Sequence, residues 1–233
     1  MKGLFITFEG TEGGGKSTQI QLLGARLREL GRVVRLLREP GATPIGEEIR
    51  HTLQHSEAND AMTPEAELLL LNASRAQLVR EVIRPALAAG EVVLCDRFYD
   101  STTAYQGHGR QLDLARVKAI IDFAVEGTRP DLTLLLDIPL EVSEARRISR
   151  QKRLLDVPRS AADKERVKLA FNEPLRDRME EADRAFFERV HQGFAAIAAA
   201  EPKRVRVIDA TRSIEAVSAL VWDAVKPLLG KRR

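Results

Sequence analysis

Cysteine is nearly absent from this chain. Cys95 is the only one in 233 residues, so no intrachain disulfide holds the fold together. Aromatic residues are also scarce, at 5% with one Trp and two Tyr. Surfaces that bind single-stranded nucleic acid set stacking platforms beside positive charge. The basic residues here crowd between Arg146 and Arg184, with no aromatic among them before Phe171, which disfavours nucleic acid as the partner. No apolar run approaches the roughly 20 residues of a membrane span. The histidines, at 51, 55, 108 and 191, form no set with metal-ligand spacing. The first apolar run begins at Leu4, which leaves no room for a secretory leader; the expected location is the cytoplasm.

What is present reads as one globular α/β unit. Hydrophobic residues make up 44% of the chain and charged residues 30%, with a net charge of +3 that suits polyphosphate as well as nucleic acid. Five apolar runs predict strands: Leu4–Phe8, Val33–Leu37, Val92–Cys95, Leu132–Leu136 and Val205–Ile208. Helical spacing separates them, in a long stretch from Ala66 to Ala86, in Leu114 to Ala124, in Met179 to Ile197 and in Ile214 to Leu228. Strands alternating with helices imply a mostly parallel sheet with helices on both faces, and ligands in such sheets bind beyond the carboxyl ends of the strands. Arg150 to Arg176 is polar and basic and is broken by Pro158 and Pro174, the pattern of a mobile flap.

Between the first strand and the first helix runs Gly10-Thr11-Glu12-Gly13-Gly14-Gly15-Lys16-Ser17, followed by Thr18. It satisfies G-x-x-x-x-G-K-[ST] at every fixed position and in the strand–helix context the motif requires. Glycines let backbone N–H groups wrap a polyphosphate, and the helix N-terminus adds partial positive charge. Lys16 can reach the β- and γ-phosphates and Ser17 can hold Mg²⁺. Glu12 is out of character in such a loop. Its carboxylate repels the polyphosphate unless it points away, toward a second substrate whose sugar hydroxyl it could accept; a solvent-facing loop acid is the alternative.

Two apolar strands end in an acid, at Asp96 and at Asp137. Asp96 is the better metal ligand because Arg97 follows it, so that one strand tip offers a ligand and an anion clamp; Asp137 reads as a turn or helix-entry carboxylate. Pro40-Gly41 is a turn that puts Arg38 and Glu39 at a strand end. Arg75 shares a helix face with Leu71 and Val79, so its guanidinium needs either a protein carboxylate or a ligand. Ser101 to Gly107 is dense in hydroxyls and amide, which suits a sugar and base or, equally, a capped helix start.

These residues fall into blocks that resemble the bacterial thymidylate kinases, phosphate-loop nucleoside monophosphate kinases. The blocks are Phe8 to Gln19, Arg38 to Pro44, Ala73 to Gln77, Asp96 to Arg110, Arg129 to Thr133, Asp177 to Glu180 and Ile208 to Thr211, and they run nearly end to end. The resemblance implies a single kinase domain over residues 1–233, a three-layer sandwich on a five-stranded parallel sheet of order 2-3-1-4-5, with a mobile lid at about 150–178. It implies ATP and dTMP as substrates, dTDP as product, Mg²⁺ and a homodimer. By position, Glu12 resembles the acid on the deoxyribose 3′-hydroxyl and Arg97 the arginine on the dTMP phosphate. Arg75 matches the arginine on thymine. Thr102, Tyr105 and Gln106 match residues around base and sugar, and the resemblance implies Glu39, Pro40 and Leu71 in the same site. Asp209-Ala210-Thr211 matches a segment near adenine.

Two departures stand out. Leu71 occupies a position where relatives often stack a Phe on thymine. The lid is longer than the family's usual one: relatives with Gly at the Gly13 position take their transition-state arginine from the lid just before the pair matched by Asp177-Arg178, but Leu169 to Leu175 hold none here, which leaves Arg150, Arg153, Arg166 and Arg176 as candidates. The remaining alternatives are a kinase for another monophosphate or a deoxynucleoside, a nucleotide switch and a nucleic-acid-associated ATPase. The guanine-reading string Asn/Thr-Lys-x-Asp of many switches does not occur.

Overall fold

The computed structural model describes residues 3–56, 61–155 and 183–230. The apolar runs form strands β1 (Leu4–Glu9), β2 (Val34–Arg38), β3 (Val92–Asp96), β4 (Leu132–Asp137) and β5 (Val205–Asp209). Each ends one residue beyond the predicted run, because the ladder takes in the polar residue that follows. All four pairings are parallel and the order is β2-β3-β1-β4-β5, as the resemblance implied. Every residue of β1 is buried, as a central strand covered on both faces requires.

The helices are α1 (Lys16–Glu29), α2 (Pro44–His55), α3 (Pro64–Leu78), α4 (Arg84–Ala88), α5 (Tyr99–Thr102), α6 (Leu114–Val125), α7 (Leu140–Leu155), α8 (Arg184–Ala200) and α9 (Ile214–Leu229). A π-helical turn, Val79–Ile83, joins α3 to α4, and a second, Thr103–Gly109, continues α5. The single long helix read from Ala66 to Ala86 is therefore α3, a wide turn and α4. Pro85, inside that stretch, brings no N–H to an α-helical ladder. Neither α2 nor α7 stood out from apolar spacing alone. The signal for α2 was the Thr43-Pro44 start: Thr43 Oγ1 accepts the Gly46 N–H at 3.0 Å and Pro44 takes the first turn. The helix read from Met179 begins at Arg184, where Asp183 accepts the Phe186 N–H at 2.7 Å; Met179 and Ala182 lie outside the described residues.

Period-two alternation sends Leu4, Ile6 and Phe8 to one face of β1 and Phe5, Thr7 and Glu9 to the other. On the first face these side chains pack with Leu94 and Leu134 against Ile20, Leu23 and Leu27 of α1 and Val217, Val221 and Val225 of α9. On the second, Phe5, Val93 and Cys95 pack against Leu78 and Val79 and against Val117, Ile121 and Val125 of α6. A third cluster joins Leu135 and Val205 to Tyr105 and to Phe186, Val190 and Phe194 of α8. Burial of each large side chain contributes about 1.5–3 kcal/mol, so the three clusters fix the layers around the sheet.

The register sets Phe8 of β1 opposite Asp96 of β3. The loop after β1 and the Arg97 segment after β3 therefore leave the sheet side by side. Of the expected lid, residues 156–178 lie outside the described residues, which removes Arg166 and Arg176 from view; Arg150 and Arg153 fall on the last turns of α7, and their side chains lie outside as well.

Candidate active site

The loop after β1 has the shape its glycines permit. Gly10 has φ 126°, and a Cβ there would stand 2.3 Å from the Leu136 carbonyl oxygen. Gly13 has φ 75°, and a Cβ would come 3.1 Å from Arg146 Cβ. Gly15 is the N-cap of α1 and brings no side-chain acceptor, so the first N–H groups of the helix face the loop mouth. Lys16, 7% exposed, donates to Gly10 O at 3.1 Å and Thr11 O at 2.9 Å, which leaves one of its three N–H donors for an anion. Burial lowers its pKa, and the nearby Arg97 charge adds to that.

Ser17 Oγ donates to Asp96 Oδ2 at 2.8 Å. The two metal candidates thus meet at the loop mouth, while Asp137 pairs with His191 Nε2 at 3.0 Å. Among the described residues no three or more His, Cys, Asp or Glu are grouped as metal ligands. A hydroxyl beside a carboxylate is a hard-oxygen donor set, which fits Mg²⁺, an ion that keeps several waters and shares phosphate oxygens.

Arg97 has φ 66° and gathers the other side of the opening. Its Nη1 donates to Gly10 O at 3.2 Å and to Ser101 Oγ at 2.9 Å, and its Nη2 donates to Tyr105 Oη at 3.2 Å and is ion-paired with Glu12. Burial opposes the Arg97 charge, but Tyr105, Glu12, Glu9 and Asp96 outweigh it and hold the pKa well above the usual arginine value. Glu12 therefore directs its carboxylate to Arg97. Burial pushes the Tyr105 hydroxyl up to about 12, so Tyr105 stays protonated.

The partner of Arg75 is a protein carboxylate. Nε and Nη2 donate to Glu39 Oε2 at 2.8 and 2.7 Å, Nη1 to Asn72 Oδ1 at 2.9 Å and Nη2 to Phe98 O at 3.3 Å. One N–H on Nη1 is left over. Burial raises the Glu39 pKa against the pull of Arg75, and Glu39 Oε1 has no hydrogen-bond partner among the described residues. Ser74 Oγ accepts the Gly41 N–H at 3.1 Å and Pro40 O accepts Arg50 Nη1 at 3.1 Å, so the Glu39–Gly41 turn is tied to α3 and α2. Leu71 is buried on α3. Thr102 and Gln106 are buried on α5 and its π turn, so the hydroxyl-rich stretch is helical. Gln106 Nε2 donates to Glu67 Oε1 at 2.8 Å, and Arg110 pairs with the same carboxylate at 3.1 Å. An acceptor-only carboxylate fixes which end of the amide faces it.

Three residues not singled out from the sequence, Ser143, Arg146 and Glu9, complete the arrangement together with Ser101 of the hydroxyl-rich stretch. Ser143 Oγ donates to Glu12 O at 2.7 Å, and Arg146 Nη1 donates to Gly13 O at 3.0 Å and Ala210 O at 3.2 Å. Both sit on α7, and Arg146 ties the loop to the Asp209–Thr211 turn. Glu9 and Ser101 lie beneath Arg97. The one local signal for Glu9 was an acid directly between the apolar run Leu4–Phe8 and the glycine loop.

Residues 8–221 match the family model described as thymidylate kinase. The chain is 45% identical over 232 residues to a thymidylate kinase of Pseudomonas putida, covering 100% of this chain and 99% of that one. It is 44% identical over 218 residues to a thymidylate kinase of Chlorobium luteolum, with 94% of each chain covered. The crystal structure of thymidylate kinase from Ehrlichia chaffeensis aligns with TM-score 0.71 at 30% identity, over 97% of this chain and 99% of that one.

Proposed function

Since the chain belongs to the thymidylate kinase family, we propose that it phosphorylates dTMP to dTDP with ATP through the residues at the tips of β1 and β3. The observation that carries this is a shared carbonyl. Gly10 O accepts from Lys16 Nζ at 3.1 Å and from Arg97 Nη1 at 3.2 Å. Two cations converging on one atom repel each other unless anions lie between them. A donor polyphosphate on the Lys16 side and an acceptor phosphate on the Arg97 side supply those anions.

In this reading Gly10 to Thr18 cradle the phosphates of ATP and the third N–H of Lys16 meets the transferring group. Ser17 and Asp96 hold Mg²⁺, which when bound neutralises polyphosphate charge. Arg97 binds the dTMP phosphate, and Glu12, held by Arg97, accepts the 3′-hydroxyl. Arg75 offers its remaining N–H to a thymine carbonyl, with Leu71, Glu39, Pro40, Thr102, Tyr105 and Gln106 around base and sugar. A phosphate monoester is largely dianionic near neutral pH, since its second pKa is about 6. Its oxygen attacks without a general base, so catalysis is positioning and charge neutralisation.

Arg146 links the phosphate loop to the turn at Ala210, which supports adenine binding beside Asp209–Thr211. The whole chain acts as one kinase domain, with residues 150–178 as a lid that supplies a transition-state arginine. No helix among the described residues is long and apolar enough to cross a membrane, and we assign the enzyme to the cytoplasm. Leu69 on α3 and Phe123 on α6 are 56% and 87% exposed, which supports a homodimer that covers them. The test is a steady-state panel of dTMP, dUMP, UMP, AMP, GMP and thymidine with ATP. The highest kcat/KM is expected for dTMP; a larger value for any other acceptor overturns the assignment.

A further inference from the structure

Arg97 is an unusual residue to trust with a substrate. It is not glycine yet its backbone is left-handed, at φ 66°, and its long side chain reaches back over the strand tips. Something must hold both. β1 provides it from below. The alternation that turns Phe8 toward α1 turns Glu9 to the opposite face, under α5, where it is 0% exposed.

Each Glu9 oxygen has one task. Oε1 accepts the Phe98 N–H at 2.7 Å, the amide immediately after Arg97. Oε2 accepts the Ser101 hydroxyl at 2.5 Å. Arg97 has only donors, so Ser101 Oγ is the acceptor for its Nη1 at 2.9 Å, and the single Ser101 proton goes to Glu9 Oε2 when that carboxyl is ionised. On the other side, the Arg97 N–H donates to Phe8 O at 2.9 Å. The backbone at Arg97 is thus held by bonds at two successive amides, and one arm of its guanidinium is held through Ser101. Thr7, Thr133 and Asp100, with Asp100 paired to Arg204 at 2.6 Å, continue the polar layer and fix α5 against β4.

We infer that Glu9 and Ser101 form a positioning relay beneath the opening, which sets the backbone and guanidinium of Arg97 for the acceptor phosphate. Glu9 has no route to the substrate, being wholly buried, so its part is orientation of Arg97. The inference rests on the reading of Arg97 as the acceptor-phosphate residue, and its test separates the two.

Above pH 8, where Glu9 is ionised, steady-state constants for dTMP and ATP are measured in Arg97→Ala, Glu9→Gln, Ser101→Ala, Ser101→Thr and the double variant Glu9→Gln/Arg97→Ala. Glutamine keeps the size of Glu9 but must turn an amide NH₂ toward Ser101, which reverses the relay. Glu9→Gln and Ser101→Ala should each raise the KM for dTMP roughly tenfold, the scale of a hydrogen bond to a charged group, and leave the KM for ATP within about twofold. Ser101→Thr, which keeps the oxygen, should stay near the parent. With Arg97 already removed, Glu9→Gln should add almost nothing, because coupled residues are not additive. If Arg97→Ala raises the dTMP KM while Glu9→Gln and Ser101→Ala do not, the relay is refuted and the role of Arg97 stands. Parallel rises for both nucleotides, or full additivity in the double variant, also refute it. An unchanged dTMP KM in Arg97→Ala removes the reading beneath it. If Glu9→Gln does not fold, the Ser101 pair carries the same comparison.

Discussion

Ser17 donates its hydroxyl to Asp96 at 2.8 Å although 79 positions separate them. The contact exists because Phe8 pairs with Asp96 across β1 and β3, which sets the start of α1 beside the tip of β3. A hydroxyl and a carboxylate so placed are suited to share one hard cation.

Asp96→Asn should therefore raise the Mg²⁺ concentration for half-maximal activity by about tenfold or more. A Mg²⁺ titration at saturating ATP reads this directly. A titration superimposable on the parent's would remove Asp96 from the metal site.

Lys16→Ala should cost roughly 3–4 kcal/mol of transition-state stabilisation, about 10²–10³ in kcat, because its remaining N–H meets charge that grows during transfer. Single-turnover rates at saturating substrates isolate this step. A loss confined to the KM for ATP would assign Lys16 to ground-state binding.

Among Arg150, Arg153, Arg166 and Arg176, one alanine substitution should dominate, with kcat lowered on the order of 10³, the scale of an arginine that meets the transferring phosphoryl group. Four variants with parental kcat would show that the lid contributes no such residue.

Removal of Arg75 should destabilise the protein, since Glu39 is 6% exposed and would remain as a buried charge without its partner. Arg75→Ala should lower the unfolding free energy by about 3–5 kcal/mol, and Arg75→Met with Glu39→Leu should recover most of it. Urea unfolding of the three proteins decides between a buried pair and a dispensable one.

The buried acid Glu9 gives a pH signature. Burial first, and then the Asp100 charge, raise its pKa from 4.5 to about 8. Between those values the folded state retains a proton that the unfolded chain has released, so the folded state binds more protons. Stability attributable to Glu9 is full below pH 4.5 and declines as pH rises toward about 8. Glu9→Gln lacks that titration. Its melting temperature relative to the parent should rise steadily across the window, and parallel curves from pH 5 to 9 would contradict the assignment.

The strands and the phosphate loop were legible because their signals are local. An apolar run bounded by turns is a strand wherever it sits, and Gly10 to Ser17 specify their own backbone path. Pro85 and the π turn at Val79–Ile83 were less legible, since the spacing of Ala66 to Ala86 is nearly the same for one helix or for two joined by a wide turn. The strand order came from the resemblance, as no residue pattern in the chain states which strand lies beside which.

By itself, the sequence determined an α/β protein with a phosphate loop, acids and an arginine at strand tips, and a buried arginine in need of a partner. It left open what that arginine meets and where Glu12 points. Arg75 with Glu39, Glu12 with Arg97 and Glu9 with Ser101 are separated by 36, 85 and 92 positions. Those pairs follow from parallel register and from the face each strand residue presents. Both are settled when the sheet assembles and its two faces are buried, so only the tertiary structure could choose them.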